Sequence, residues 1–328
     1  MNTFQGCVSE FVLCQGTTLV VPKRAVHRWA LAPEVCQPNP IDPFMKRAKA
    51  KHYRGSIRMA DKSRLSLNQI TTANWSVGEA VEACAHHGVP SIALWRHKIQ
   101  EAGLASCVRH VQDAGMHVSS VCRGGMFPAP TELERQKNIE DNFRATDEAA
   151  ALNADSLVLV VGGCAGVGLE EARKMVAAGI AALVPYARER GVRIGLEPLH
   201  PMYAAERSVL NTIGQALKLA SPYSPQQVGV ILDTFHIWWD PQVAELIAQS
   251  AGRIYGFHVS DWLVPLPDIL LGRGLMGDGV IDNHKLRLLV EQAGYTGPIE
   301  VEIFNRALWD SDPEDVLKQV IERFEKFV

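Results

Sequence analysis

The sequence predicts an eightfold β/α barrel, and three observations carry that prediction. Eight short apolar runs recur along the chain, each followed by a helical pattern. The last four runs, VRIGLE, VGVILD, IYGFH and PIEVE, end on Glu197, Asp233, His258 and Glu302. The turn after the first run, TTANWS, has no G-x-G-x-x-G of the kind that opens a doubly wound nucleotide-binding sheet. Strands alternating with helices of this length imply a parallel sheet, and eight such units imply closure.

The elements follow in order. The first strand is expected near Leu65–Ile70, then a helix from Ser76 to His87 opened by a serine cap. The second strand is Ser91–Trp95, with a helix over about 99–114. The third is Met116–Val121, followed by a Gly- and Pro-rich loop, RGGMFPAP, and a long helix over about 131–152. The fourth, Ser156–Val161, runs into Gly162 and Gly163; its helix spans about 169–189 and stops at Gly191. The fifth strand ends at Glu197, with a helix over about 209–220. The sixth ends at Asp233, with a helix over about 241–250. The seventh ends at His258, before a long loop and a helix over about 283–293. The eighth ends at Glu302, and a closing helix covers about 313–327.

Bulk properties fit one such domain. The chain has 328 residues, 47% of them hydrophobic and 21% charged, where a barrel needs about 250. No apolar run approaches the roughly 18 residues that span a bilayer. Seven cysteines are scattered, with no C-x-x-C pair and no zinc-finger spacing. They read as small buried hydrophobes in a reducing cytosol, so the expected location is cytoplasmic.

Residues 1–58 differ from the remainder. Nine basic residues face three acidic ones, a net +6 that leaves −9 on residues 59–328 of a chain whose total is −3. Five prolines interrupt the segment, and no helix or strand period persists. FVLCQGTTLVV is too polar for a secretory signal, although the basic excess also suits a transit peptide. The expectation is a single barrel domain over residues 59–328. Residues 1–58 read as an irregular extension preceding a true start at Met59.

The C-terminal strand ends of such a barrel face one opening. Four consecutive strands therefore aim two Glu, one Asp and one His at one point. Three hard oxygen donors and one imidazole make a site for a divalent metal. Each residue alone has an ordinary reading: a solvated rim acid for Glu197, a helix cap for Asp233, a core imidazole for His258. Their shared register argues against four coincidences. Glu300 points to the same side of its strand as Glu302 but lies deeper, so Glu302 is the better ligand and Glu300 the structural residue.

EPLHP, LDTFH, FHVSD, GDGVID and VEIF together resemble the xylose isomerase-like TIM barrel superfamily, in its sugar phosphate isomerase/epimerase branch. That branch includes ketose 3-epimerases, hydroxypyruvate isomerase and inosose dehydratase. The likeness runs from about 65 to 328. It implies that Glu197, Asp233, His258 and Glu302 hold one divalent metal, with Mn²⁺ the first choice and Mg²⁺, Co²⁺ or Zn²⁺ as alternatives. It implies that Glu197 and Glu302 are the catalytic pair, one abstracting and one delivering a proton beside a carbonyl. A homo-oligomer is common among the barrels resembled; the sequence singles out no surface for one.

Substrate-binding candidates surround this set. His236, in DTFH, is expected to contact substrate or the metal shell. His200, Glu206 and Arg207 lie in the loop after Glu197, where Arg207 suits a hydroxyl, carboxylate or phosphate. Trp95, Arg96 and His97 end the second strand and Arg123 the third, as a far wall for sugar C–H faces. Arg273, in LLGRGLMGDG, sits where many barrels bind phosphate. Asp261 is expected to orient a metal ligand.

The leading expectation is an isomerase or epimerase of a sugar or related hydroxy-ketone, with a small molecule as partner and neither nucleic acid nor membrane. A dehydratase or lyase of the inosose type would use the same site. An endonuclease IV-like repair enzyme is a remote third reading. It needs three zincs and further His ligands; His97 could supply one, but His110 and His117 are poorly placed and no D-x-H pair follows His258, and the charge of −9 opposes a phosphate-tracking groove. The hydride-shift route of xylose isomerase proper needs a second metal and a nearby Lys, and no such Lys motif is present.

Overall fold

The computed structural model describes residues 60–328, so the expectation for residues 1–58 and for Met59 lies outside the described residues. Seven strands come first: β1 (Leu65–Asn68), β2 (Ser91–Trp95), β3 (His117–Gly125), β4 (Leu157–Val160), β5 (Ile194–Leu196), β6 (Val228–Asp233) and β7 (Ile254–Val259). A two-stranded pair follows, β8 (Asp261–Trp262) and β9 (Arg273–Gly274), and then β10 (Ile299–Val301). β1 to β7 and β10 form one closed parallel barrel in the order β1-β10-β7-β6-β5-β4-β3-β2. The predicted eightfold closure is therefore present.

Several helices start on side-chain caps. α1 (Val77–His86) and α4 (Glu132–Ala151) each start on a reciprocal box, Ser76 with Glu79 and Thr131 with Glu134. α11 (Pro313–Phe327) starts on Asp312, which accepts from two backbone amides. Between barrel and helices lies one continuous apolar core, including Leu65, Leu67, Ile92, Leu94, Leu157 and Ile180. Burial of such side chains contributes about 2 kcal/mol each.

Four boundaries differ from expectation. The helix expected over 99–114 is two helices, α2 (Arg96–Ala102) and α3 (Leu104–Asp113), because Gly103 takes φ +79° and breaks the run. α2 also starts earlier than expected, directly after β2, where Arg96 reaches Asp141 and Glu148 on α4. β3 continues to Gly125, four residues past the expected Val121, since Gly124 and Gly125 pair with Leu159 and Val160. The residues expected to open the helix after β5 instead pin a loop. Val209 donates to Gly162 O at 2.9 Å, so α6 spans only Ile213–Ala220. The remaining long helices, α5 (Leu169–Glu189) and α9 (Asn283–Gln292), lie where the periodicity put them, and α7 (Thr234–Ile237), α8 (Val243–Gln249) and α10 (Arg306–Trp309) are short.

Candidate active site

Register explains the convergence of the four singled-out residues. Asp233 pairs with His258 across β6–β7, and His258 pairs with Glu300 across β7–β10. Glu197 and Glu302 are the first residues past β5 and β10. Glu197, Asp233, His258 and Glu302 each offer a donor atom within 4.8 Å of the others, and all four are buried. Asp233 caps a helix and also faces the cluster. Its Oδ1 accepts from Phe235 N at 2.8 Å and caps a short helix (Thr234–Ile237), leaving Oδ2 to face the cluster.

The residues fit a divalent cation. Glu197 Oε1 and both nitrogens of His258 are buried without a well-formed hydrogen bond. His258 Nδ1 lies 3.5 Å from Glu197 and 3.6 Å from Glu302, and Nε2 lies 3.4 Å from Glu300. Buried polar atoms left this way are costly, and a ligand that pairs with them removes the cost. Burial works against a charged imidazole, yet the carboxylates of Glu300, Glu197 and Glu302 hold His258 well above its ordinary range. A bound cation would take that proton's place.

The acids are not equivalent. Burial raises Glu197 above the usual carboxylate range. Burial also raises Asp233, to about 7, against the opposing pull of Arg273. Glu302 is equally buried, but His258 and Arg273 outweigh that and bring it down to about 2.

Arg273 is drawn further in than a phosphate-binding loop would place it. Its Nη1 donates to Asp233 Oδ2 at 2.8 Å and to Glu302 Oε2 at 3.1 Å. Nη2 lies 3.1 Å from His236 Nε2, and the rings of Phe235 and Phe304 lie against the guanidinium. The antiparallel pairing of Trp262 with Arg273 turns the loop back over the barrel and delivers this side chain. Asp261 has no hydrogen bond to the four clustered residues among the described residues. Its carboxylate accepts from the amides of Trp262, Gly277 and Ile281 and holds that loop. His236 is buried, and burial followed by the Arg273 charge pushes its imidazole well below the ordinary range, so it is neutral.

A cavity opens above the cluster. Trp95, Arg123, Arg207, His236 and Arg273 line it, as do Glu197 and Glu302, whereas Asp233 and His258 lie behind its wall. Two expected contacts lie elsewhere. His97 is exposed, edge-on to Trp95 in a neighbouring groove. His200 packs between Trp239 and Trp262, and its Nδ1 accepts from Met202 N at the head of a turn. Tyr203 and Phe304 line the cavity without having been singled out from sequence. Asn68, at the end of β1, donates to Glu300 and Glu302 and accepts from Trp95 Nε1 at 2.7 Å. Its place at a strand end was the signal that could have found it.

A family model described as xylose isomerase-like TIM barrel matches residues 81–327. The chain is similar to protein SMc04130 of Sinorhizobium meliloti 1021, with 44% identity and a TM-score of 0.79, over 81% of this chain and 99% of that one. The IolI protein, solved with a bound zinc atom, shares the fold at a TM-score of 0.69 and 20% identity, over 81% of this chain and 99% of that one. Among curated proteins, 3-dehydroshikimate dehydratase of Pseudomonas putida KT2440 is 28% identical over 236 residues, 69% of this chain and 36% of that protein. Inosose isomerase of Halalkalibacterium halodurans C-125 is 25% identical over 140 residues, 40% of this chain and 46% of that protein. The matches thus span less than half the length of these two curated relatives.

Proposed function

The chain belongs to the xylose isomerase-like TIM barrel family, and from that premise we propose that it is a metal-dependent enzyme moving a proton beside the carbonyl of a sugar-like hydroxy-ketone. One observation carries the reading. Of the four clustered residues, only Glu197 and Glu302 reach the cavity wall, on strands three places apart in the barrel. Asp233 and His258 sit behind them as the other holders of a cation. Mn²⁺ is the first choice for this oxygen-rich set, with Mg²⁺, Co²⁺ and Zn²⁺ as alternatives. When bound, the ion supplies electrostatic stabilisation for negative charge developing on the substrate oxygens.

The residues of the chain do the rest. One of Glu197 and Glu302 takes the proton from carbon, and the other returns a proton. Arg273 holds Glu302 and Asp233 in place. His236, neutral, presents Nε2 toward the same space. Trp95 and Phe304 wall the cavity with aromatic surface that suits sugar C–H groups and sheds water. Return of the proton to the opposite face is epimerisation, and return to the adjacent carbon is isomerisation. Loss of a neighbouring hydroxyl instead is dehydration. The dehydratase reading has its own support, in the match to 3-dehydroshikimate dehydratase over 69% of this chain.

The partner in this reading is a small molecule. The net charge of −9 on residues 59–328 disfavours a nucleic-acid substrate. Four free cysteines among the described residues suit a reducing cytosol, and no helix of the described residues is long and apolar enough to cross a membrane. The test is metal analysis of the purified protein against an EDTA-treated control, with deuterium wash-in from D₂O into ketoses and inososes. About one metal per chain and metal-dependent exchange beside the carbonyl are expected. Three zincs per chain would favour the nuclease reading. Absence of both bound metal and exchange would overturn the proposal.

A further inference from the structure

Partly buried arginines in this protein are, as a rule, fastened. Arg96 is paired with Asp141 and Glu148, Arg253 donates to three carbonyls, and Arg273 is paired with Asp233 and Glu302. Arg123 and Arg207 are exceptions. Both line the cavity beside Glu197, and neither guanidinium has a hydrogen bond or ion pair among the described residues. Arg207 has only the Tyr203 ring, 5.5 Å from its guanidinium carbon.

Rigid backbone holds both. Arg123 is the extra residue where the β3–β4 register slips, between Cys122 opposite Val158 and Gly124 opposite Leu159. A bulge of this kind re-aims a side chain. Arg207 is in a turn whose amides, its own and that of Ser208, donate to Tyr203 O at 2.9 and 3.1 Å. That turn lies against the end of β4 so closely that a Cβ on Gly163 would fall 2.4 Å from Ala205 O. Two like charges are thus fixed around one space. Burial and the Arg207 charge both lower Arg123 from its ordinary value. Glu197 offsets only part of this cost, and fixed charges without a hydrogen-bonded partner mark a place where a ligand supplies one.

We propose that Arg123 and Arg207 form a carboxylate subsite, so that the substrate is a hydroxy-ketone acid rather than a neutral or phosphorylated sugar. The inference rests on the proton-transfer reading of the adjoining Glu pair. A carboxylate is satisfied by two guanidinium groups. Phosphate sites recruit backbone amides from glycine-rich turns or helix N-termini, and the cavity wall contains no Gly, Ser, Thr or Lys. The carboxylate anchors the substrate on the Arg123–Arg207 side and leaves its ketone end free to reach Glu197 and Glu302.

The test is calorimetric titration of the full-length, Mn²⁺-loaded protein with shikimate, quinate and gluconate. Each acid is compared with its uncharged methyl ester, and inorganic phosphate is titrated alongside. At least one acid is expected to bind about tenfold or more tightly than its ester, the scale of a charged hydrogen bond. Arg123→Met and Arg207→Met are each expected to shrink that preference by a similar factor. The acid–ester comparison on the unaltered chain decides the matter even where a variant folds poorly. Equal binding of every acid and its ester overturns the proposal, as does a preference that survives both substitutions. Phosphate bound more tightly than every acid overturns the carboxylate assignment. Deuterium wash-in keeps the two readings apart. Arginine-dependent acid binding without exchange into any ketone sinks the proton-transfer reading and leaves the subsite standing. Exchange into neutral ketones with no acid preference does the reverse.

Discussion

The two ends of the barrel treat buried polarity in opposite ways. At the N-terminal end, the buried and half-buried arginines and tyrosines are answered from within the chain. Arg64 reaches Glu291 and Gly297 O, Arg193 reaches Asp155 O, and Arg253 donates to Ala220 O, Val228 O and Tyr223 O. Tyr255 and Tyr295 place their hydroxyls on the carbonyls of Pro225 and Pro298. At the C-terminal end, Glu197 Oε1, His236 Nδ1 and both nitrogens of His258 are buried without a well-formed hydrogen bond, and the guanidinium groups of Arg123 and Arg207 have no hydrogen bond or ion pair among the described residues. Both ends are built on the same strands, so the difference does not come from the fold. One end spends its polar groups on stability, and the other keeps them for something that binds.

The sharpest test of that contrast substitutes the two acids on the cavity wall. Glu197→Gln and Glu302→Gln are each expected to lower turnover by about 10³-fold, the scale of general acid–base catalysis. Their effects on stability should part. Burial raises Glu197, so its charge at neutral pH costs stability, and Glu197→Gln should melt no lower than the parent in EDTA. Glu302 is held down by His258 and Arg273, so its charge is favourable above the ordinary carboxylate range. That contribution is lost as pH falls toward about 2, and Glu302→Gln should melt lower. Calorimetry in EDTA at neutral pH reads both. A large loss of stability in Glu197→Gln would break the contrast, because the mouth would then be holding the fold together.

The opposite end supplies the matching experiment. Arg253→Met keeps most of the apolar stem and removes the donor from three carbonyls that lie 3.2, 2.9 and 2.8 Å from its guanidinium, of which Ala220 O keeps Tyr223 N as a partner. A loss of about 3 kcal/mol in urea unfolding is expected, as for buried acceptors left unpaired. Metal-dependent exchange should be unaltered, since the residue does not reach the cavity. A drop in turnover with stability intact would mean that the two ends are coupled.

How much of this was legible beforehand depends on the range of the interaction concerned. The strands and long helices follow from local periodicity. α5 and α11 begin and end where the pattern did, because Gly191 and Asp312 punctuate them in sequence. Asp233 and His258 were legible because a parallel barrel aligns strand ends, and the register of β6 with β7 does bring them side by side. Arg273 was placed in the right loop with the wrong reach. Its inward course depends on a two-residue pairing with Trp262 and on two buried carboxylates from other strands, neither of which leaves a local trace. His200 and His97 failed to join the cavity for a related reason. The loop after β5 spends His200 on its own turn and on two tryptophans, and Arg96 fastens the start of α2 to α4 with His97 facing outward. The lone positions of Arg123 and Arg207 could not be read at all, because being unpaired is a property of the surroundings.

The smallest expected effect sharpens the contrast from the stable end. His117 opens β3, with Nε2 3.1 Å from Asp155 Oδ1 and Nδ1 3.1 Å from Ser91 Oγ. Asp155 raises its imidazole above the ordinary value, against partial burial. The group therefore binds its proton more tightly folded than unfolded. Its contribution is fully present below the unfolded value and is lost as pH rises through the folded one. The side chain is 43% exposed, so screening leaves only a few tenths of a kcal/mol. The measurable quantity is a difference of differences. The urea midpoints of the parent and His117→Gln should differ slightly near pH ~5.5 and converge near pH ~8.5. Any pH response of the mouth appears in both proteins and cancels. A gap that widens with pH would mean that the imidazole is stabilised neutral, and would place at the floor of the barrel the kind of unanswered polarity that the contrast assigns to its mouth.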